Sequence, residues 1–212
     1  MKVFDIHAPT PQGPAARDQQ AFLIGVDFHE AAIRSGVTVR DPEGAPVDAL
    51  CPMIVSYAFA AELYLKSMAS LGRAMPTAKT HKLKVLFGRL CPDLQTSISQ
   101  RYTVRAGRTP QELDGDLAAF SDAFADWRYV FEGEGQQVRV NILIAFVKAL
   151  YEEARARQPG WSVRKDQHQR LLSDADEPIM TVKNLGGGTF LSSVDARGAC
   201  STPLKRADRQ QH

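Results

Sequence analysis

The segment QQVRVNILIAFVKALYEEARAR, residues 136–157, decides the fold because its apolar residues lie on every side of a helix. Pro159 and Gly160 follow the segment and are expected to end the helix. A helix that is apolar all round lies in the interior of a bundle, with other helices packed on its faces. The segment therefore predicts a central helix and, around it, an all-α antiparallel helical bundle.

Four further segments have the apolar spacing of helices. They cover residues 16–36, 48–71, 80–90 and 109–131. The last begins with Thr109, Pro110 and Glu112, which together match a capped helix start with proline in the first turn and a capping box. In the first, His29 lies on the apolar face and is interpreted as a core histidine. Short connections between these helices predict a bundle of four to five helices.

The predicted domain organisation is one bundle with an appendage at each end. Residues 1–15 contain three prolines and are expected to form an irregular arm, and residues 16–157 form the bundle. Residues 158–185 are an appendage whose structure the sequence leaves open. Residues 186–212 begin with three glycines and lack an apolar period, which predicts a disordered tail.

Composition excludes several classes of protein. The 212 residues contain 26 basic and 24 acidic side chains, and a net charge of +2 gives no general affinity for polyanions. No apolar run approaches the roughly 20 residues that a membrane span needs, and no signal-like stretch begins the chain. Three widely spaced cysteines (Cys51, Cys91 and Cys200) indicate neither a disulfide framework nor a zinc knuckle. The sequence therefore favours a cytoplasmic protein.

Motifs of the common cofactor-dependent and hydrolytic enzymes are absent. The chain contains no phosphate-binding GxxxxGK[ST] loop, no GxGxxG, no HExxH, no CxxC and no GxSxG. The three glycines at 186–188 lack a following lysine and are interpreted as a linker. We therefore expect neither a metal nor a cofactor.

The small net charge conceals an uneven distribution. Residues 73–108 carry eight basic and one acidic side chain (8 − 1 = +7), and residues 109–136 carry one basic and seven acidic side chains (1 − 7 = −6). The basic stretch is able to form a face that meets phosphates. Alternatively, the two stretches neutralise one another within the fold. The sequence does not decide between these two interpretations.

Two charged residues of the second helix fall within its apolar arc. At about 100° per residue, Glu62 and Lys66 lie between two apolar stripes, and a glutamate four residues before a lysine is the favourable order for an ion pair. Arg128 lies at the edge of the apolar stripe of the 109–131 helix, and Glu62 is its natural partner on another helix. The pattern predicts either a structural ion pair or a polar site inside the bundle.

Three sequence blocks resemble a known superfamily. They are AFAAELYLK at 58–66, THKLKVLF at 80–87 and FADWRYVFE at 124–132. In this order they resemble the HEPN superfamily, in its branch with ELxLK, HxLxxLF and RYxxE blocks, over about residues 50–150. The resemblance implies a bundle that is frequently a homodimer and belongs to a prokaryotic defence, toxin–antitoxin or stress module. Its members bind or cleave RNA, and some are paired with a small nucleotidyltransferase.

One departure from the family concerns catalysis. Its ribonucleases carry an arginine and a histidine separated by four to six residues on a late helix, whereas here that spacing occurs at Arg206 and His212, in the expected tail. We therefore expect RNA or nucleotide binding without the usual ribonuclease activity. The candidate ligand-binding residues are Glu62, Lys66, His81, Lys82, Lys84, Arg128, Tyr129 and Glu132. The alternatives are a metal-independent endoribonuclease that uses His81 or Arg128, and a non-catalytic dimeric scaffold.

Overall fold

Helices form the body of the protein in the computed structural model. The described residues are 13–36, 39–40, 46–47, 50–69, 71, 80–121, 137–173, 180–186, 189–194 and 202–204. The helices within them are α1 Pro14–Gly36, α2 Leu50–Met68, α3 Leu83–Gly88, α4 Pro92–Ala106, α5 Pro110–Ala119, α6 Val140–Arg157 and α7 Lys165–Leu172. The predicted all-α helical bundle is confirmed.

Helices α1 and α2 pack antiparallel along most of their lengths. Gly36 at the end of α1 lies beside Met53 near the start of α2, whereas Gly25 in the middle of α1 lies beside Tyr64 near the end of α2. A Cβ atom on Gly25 would lie 2.9 Å from the Tyr64 ring, so a glycine is needed for this close approach of the two helices.

The predicted central helix is α6. Every residue from position 142 to position 151 is buried, and the helix packs against both α2 and α4. Its direction is opposite to that of α4, because Ser97 contacts Glu153 while Tyr102, later in α4, packs against the earlier Phe146. The all-round apolar pattern therefore placed this helix correctly in the interior.

Helix α5 begins as predicted but ends earlier. The Thr109 hydroxyl accepts a hydrogen bond from the Glu112 backbone, and the Glu112 carboxylate accepts one from the Thr109 backbone, which completes the capping box. The helix ends at Ala119, so the prediction of an unbroken helix from 109 to 131 is wrong. Residues 122–136 lie outside the described part of the chain.

The chain just after α5 is held by hydrogen bonds to the start of α3, and this is the physical reason for the early end of α5. The Ser121 carbonyl accepts a hydrogen bond from the Leu83 backbone at 3.1 Å, and the Ser121 hydroxyl accepts one from the Lys84 backbone at 3.2 Å. These bonds satisfy donors at the start of α3 that have no partner within their own helix. The turn at Ser121 thus fixes where α3 begins.

Short antiparallel strands accompany the helices. The strands are β1 Val39–Arg40, β2 Pro46–Val47, β3 Gln137–Arg139, β4 Met180–Gly186, β5 Thr189–Val194 and β6 Thr202–Leu204. The first two pair with each other, and the other four form a sheet in the order β3-β4-β5-β6. All pairs are antiparallel. The sheet joins the C-terminal part of the chain to the segment that leads directly into α6.

The expectation of a disordered tail over 186–212 is corrected at β5 and β6. Gly186 pairs with Thr189 at the end of the β4–β5 hairpin, so Gly186 belongs to a strand instead of a linker. The sequence TFLSSV of β5 is rich in residues that favour strands. Its backbone hydrogen bonds are made with the neighbouring strands β4 and β6.

The appendage that follows α6 packs on the bundle through a short helix. Trp161 is buried against Phe22, with ring centroids 5.1 Å apart. In α7, His168 and the Tyr151 hydroxyl share a hydrogen bond of 2.7 Å. None of the helices in the described ranges is both long and apolar enough to cross a membrane.

Candidate functional site

Three of the predicted site residues meet at one place, which we call the Glu62 cluster (Glu62, Lys66 and His81). The Lys66 ammonium donates to Glu62 Oε1 at 2.7 Å. His81 Nδ1 lies 3.0 Å from Oε1 and 3.1 Å from Oε2 of the same carboxylate. The Glu62 side chain is 1% exposed, whereas that of His81 is 64% exposed. A buried carboxylate thus connects a lysine with a histidine that faces solvent.

Local sequence and helix packing explain how the cluster forms. Glu62 and Lys66 share one face of α2 because they are four residues apart. His81 lies just before α3, whose Leu83 and Leu86 are buried in the core, so the start of α3 is held against α2. The helix spacing alone sets the contact between Glu62 and Lys66. The docking of α3 on α2 sets the contact between Glu62 and His81.

The Glu62 cluster has a defined hydrogen-bonding polarity. An ionised carboxylate only accepts hydrogen bonds, so Nδ1 of His81 is the donor in its contacts with Glu62. A neutral His81 therefore carries its lone pair on Nε2. The carboxylate thus orients the imidazole, and Lys66 donates to the same carboxylate oxygen, Oε1.

The other predicted members of the internal pocket are Arg128, Tyr129 and Glu132. All three lie outside the described residues. The meeting of Glu62 with Arg128 consequently stays a prediction.

Two further candidate residues lie beside the cluster on exposed positions. Lys82 follows His81 directly, and its backbone donates to the Thr80 hydroxyl at 3.2 Å. Lys84 lies within α3, and its ammonium is 2.9 Å from the exposed carboxylate of Asp114. An exposed pair of this kind contributes little to stability and is screened by salt, so it does not hold Lys84 firmly.

Three arginines in the rest of the basic stretch are paired with carboxylates within the fold. Ion pairs join Arg101 to Glu153, Arg105 to Glu152, and Arg108 to Asp116. Asp116 lies on α5, within the acidic stretch 109–136. Glu152 and Glu153 lie on α6, outside that stretch. The interpretation of one continuous basic face over 73–108 is therefore corrected. The described part that resembles such a face is the segment around His81 and α3.

A buried carboxylate in α5 was missed by the sequence analysis. Asp116 accepts a hydrogen bond of 2.5 Å from the Tyr102 hydroxyl and two from the Arg108 guanidinium. Burial, together with the hydrogen bond to Asp116, raises the pKa of Tyr102 well above its ordinary value. The spacing of Arg108, Glu112 and Asp116 by four residues was the available signal, since it places all three on one face.

A second buried carboxylate, Glu153 on α6, was also missed. Its oxygens accept hydrogen bonds from Ser97 at 2.6 Å, Arg101 at 2.8 Å and Arg157 at 2.7 Å, a group we call the Glu153 clamp. Burial alone would raise the pKa of Glu153, but the three donors outweigh it and the pKa is lowered. Only the Arg157 contact was readable from spacing, because α4 supplies the other two donors.

His29 lies in the core, as predicted. Its ring is fully buried, with Nδ1 3.3 Å from the Tyr64 hydroxyl, while Nε2 has no hydrogen-bond partner among the residues that the structure describes. Burial, and the positive charge of Lys148, lower the pKa of His29 to about 3. The imidazole is therefore neutral at physiological pH.

Similarity to known proteins and metal chemistry give no further assignment. No family model, curated protein or solved structure matches the chain. Within the described ranges, no group of three or more histidine, cysteine, aspartate or glutamate side chains is arranged to hold a metal ion. The function must therefore be argued from the side chains themselves.

Proposed function

We propose that this chain is a HEPN-like cytoplasmic protein that binds RNA or nucleotide phosphates without the usual ribonuclease activity. We further propose that it acts as a homodimer in a prokaryotic defence, toxin–antitoxin or stress module. The observation that carries the proposal is the Glu62 cluster, in which a buried carboxylate orients an exposed histidine beside two lysines. The HEPN resemblance of the blocks that contain these residues supports it.

The charge balance of this region favours an anionic ligand. Glu62 is paired with Lys66, and the basic side chains of His81 and Lys82 lie next to each other on exposed positions. Phosphate groups are bound by such arrays of lysine, histidine and backbone donors. Since the contacts are to the backbone phosphates, we expect binding with little sequence preference and a strong dependence on salt.

A gel-shift titration with labelled single-stranded RNA, repeated at several salt concentrations, tests this proposal. We expect His81→Ala and Lys82→Ala to weaken binding for all RNA sequences alike, and Lys82→Ala to reduce the salt slope by about one. Lys165→Ala is the matched control, because it removes an exposed lysine from α7. Absent binding, salt-independent binding, or equal losses in all three variants would refute the proposal.

A ribonuclease with a non-standard centre is a second candidate, favoured by the hydrogen bonds between Glu62 and His81. A carboxylate that fixes the tautomer of a histidine leaves the other ring nitrogen as a general base, able to accept a proton from an RNA 2′-hydroxyl. The attack of that hydroxyl on the adjacent phosphorus forms the O2′–P bond and breaks the P–O5′ bond. The leaving 5′ oxygen takes a proton from water, which gives a 2′,3′-cyclic phosphate and a 5′-hydroxyl.

Incubation of the purified protein with end-labelled RNA, with and without EDTA, separates the two candidates. Cleavage that persists in EDTA and disappears in His81→Ala favours the ribonuclease. Binding without cleavage favours the first proposal. Cleavage that His81→Ala leaves unchanged excludes His81 from the reaction and points to a contaminating nuclease.

A further inference from the structure

A polar cleft lies between α4 and α6, separate from the residues of the Glu62 cluster. It has a volume of about 730 Å³, within the range of small-molecule binding sites. The described residues that line it are Gln100, Arg101, Val104, Arg105, Ala145, Lys148 and Glu152. Three of these side chains are basic, and two carboxylates bind the arginines: Glu152 in the lining and Glu153 behind Arg101. The basic groups therefore outnumber the carboxylates by one (3 − 2 = 1).

Arg101 is held in place for ligand binding by a contact on its far side. Its Nε donates to Glu153 at 2.8 Å, and Glu153 is fixed in turn by Ser97 and Arg157. Within the described part of the chain, the two terminal nitrogens of Arg101 donate no hydrogen bond, and the nearer carboxylate oxygen of Glu152 is 3.9 Å away. A pre-oriented guanidinium with unused donors is the arrangement that recognises phosphate.

The remaining lining residues suit the other parts of a nucleotide. Arg105 is fixed by two hydrogen bonds to Glu152, and the ammonium of the nearly fully buried Lys148 donates to the Ser173 carbonyl at 2.6 Å. Val104 is 84% exposed at the cleft, and Ala145 lies opposite on α6. An exposed valine offers an apolar surface to a flat base, and this contact buries no polar group of the valine side chain.

We propose that the α4–α6 cleft binds a nucleoside monophosphate, with the phosphate on Arg101 and the base against Val104. Arg105 and Lys148 strengthen the positive field, and Glu152 holds Arg105 in position. The proposal does not rest on the Glu62 cluster, because none of the residues of that cluster lines the cleft.

Isothermal titration of the full chain with three probes tests the proposal. The probes are adenosine 5′-monophosphate, inorganic phosphate and adenosine. We expect the monophosphate to bind most tightly, phosphate to bind weakly and adenosine not to bind, with affinity falling as salt is raised from about 50 to 200 mM. Adenosine binding as tightly as the monophosphate, or no binding of either phosphate probe, would overturn the proposal.

Two substitutions at one exposed position separate charge from shape. Val104→Glu places a carboxylate at the cleft and should weaken binding of the monophosphate about tenfold or more. Val104→Lys has a similar size and the opposite charge, and it should bind at least as tightly as the wild type. Both variants should fold, because Val104 contributes little to the core. Equal affinity in the two variants would place the ligand elsewhere.

A crossed experiment distinguishes failure here from failure of the proposed function. Val104→Glu should leave the RNA gel shift unchanged, and Lys82→Ala should leave monophosphate binding unchanged. Loss of both activities in Val104→Glu would mean that RNA occupies the cleft, which overturns a separate nucleotide site.

Discussion

Two of the buried glutamates in the bundle, Glu62 and Glu153, have the same burial but different surroundings. Each side chain is 1% exposed. Glu153 receives hydrogen bonds from Ser97, Arg101 and Arg157, so its clamp joins two long helices. Glu62 accepts hydrogen bonds from Lys66 of its own helix and from His81, whose side chain is mostly exposed. Glu153 therefore has three donors from two helices, whereas Glu62 has two donors, of which His81 is 64% exposed. The two carboxylates differ in the number and exposure of their partners and not in their own burial.

The largest expected effect is on the stability of the Glu153 clamp. Glu153→Ala removes the common acceptor of three donors, and we expect the free energy of unfolding to fall by about 2–4 kcal/mol. The matched control is Asp93→Ala, which removes another carboxylate that binds Arg157 but is 72% exposed. Its cost should stay below about 0.5 kcal/mol. Urea unfolding at pH 7 measures both, and similar losses in the two variants would contradict the comparison.

The pH dependence of stability sharpens the same comparison. Because the folded protein lowers the pKa of Glu153 below the ordinary value of 4.5, the carboxylate stabilises the fold above about pH 4.5. This stabilisation is lost as the pH falls through the lower pKa of the folded state. Glu153→Gln should therefore flatten the decline of stability in acid, and Ser97→Ala should flatten it in part. A decline as steep as that of the wild type in Glu153→Gln would show that other carboxylates cause it.

The smallest expected effect on stability belongs to His81. His81→Ala should change the free energy of unfolding by less than about 0.5 kcal/mol, because the side chain is 64% exposed. The same variant should lose RNA affinity in the gel-shift assay described above. A large loss of stability with unchanged RNA binding would make the Glu62 cluster a structural feature like the Glu153 clamp, and the contrast between the two regions would disappear.

Much of the bundle could be predicted because its determinants are local in sequence. The apolar residues of 136–157 occur on every face of one helix, and this alone placed α6 in the interior. Thr109 and Glu112 are three residues apart, and their capping box formed as expected. The end of α5 could not be predicted in the same way, because Ser121 bonds to residues of α3 nearly forty positions earlier.

The candidate site likewise combines a contact that is local in sequence with contacts between distant segments. The Glu62–Lys66 pair follows from helical spacing, but the contact of His81 with Glu62 depends on how α3 docks on α2. The sequence located a surplus of positive charge over residues 73–108. It could not show that Arg101 and Arg105 are matched by carboxylates some fifty residues later on α6.

The sequence by itself determined where helices form and which of their faces are apolar, since a period of 3.6 residues acts between near neighbours. Only the tertiary structure decided which charges remain at the surface, because an ion pair depends on distances of a few ångströms between segments far apart in the chain. Glu153 became a clamp and Glu62 a candidate site for this reason, although both begin as glutamates on largely apolar helices.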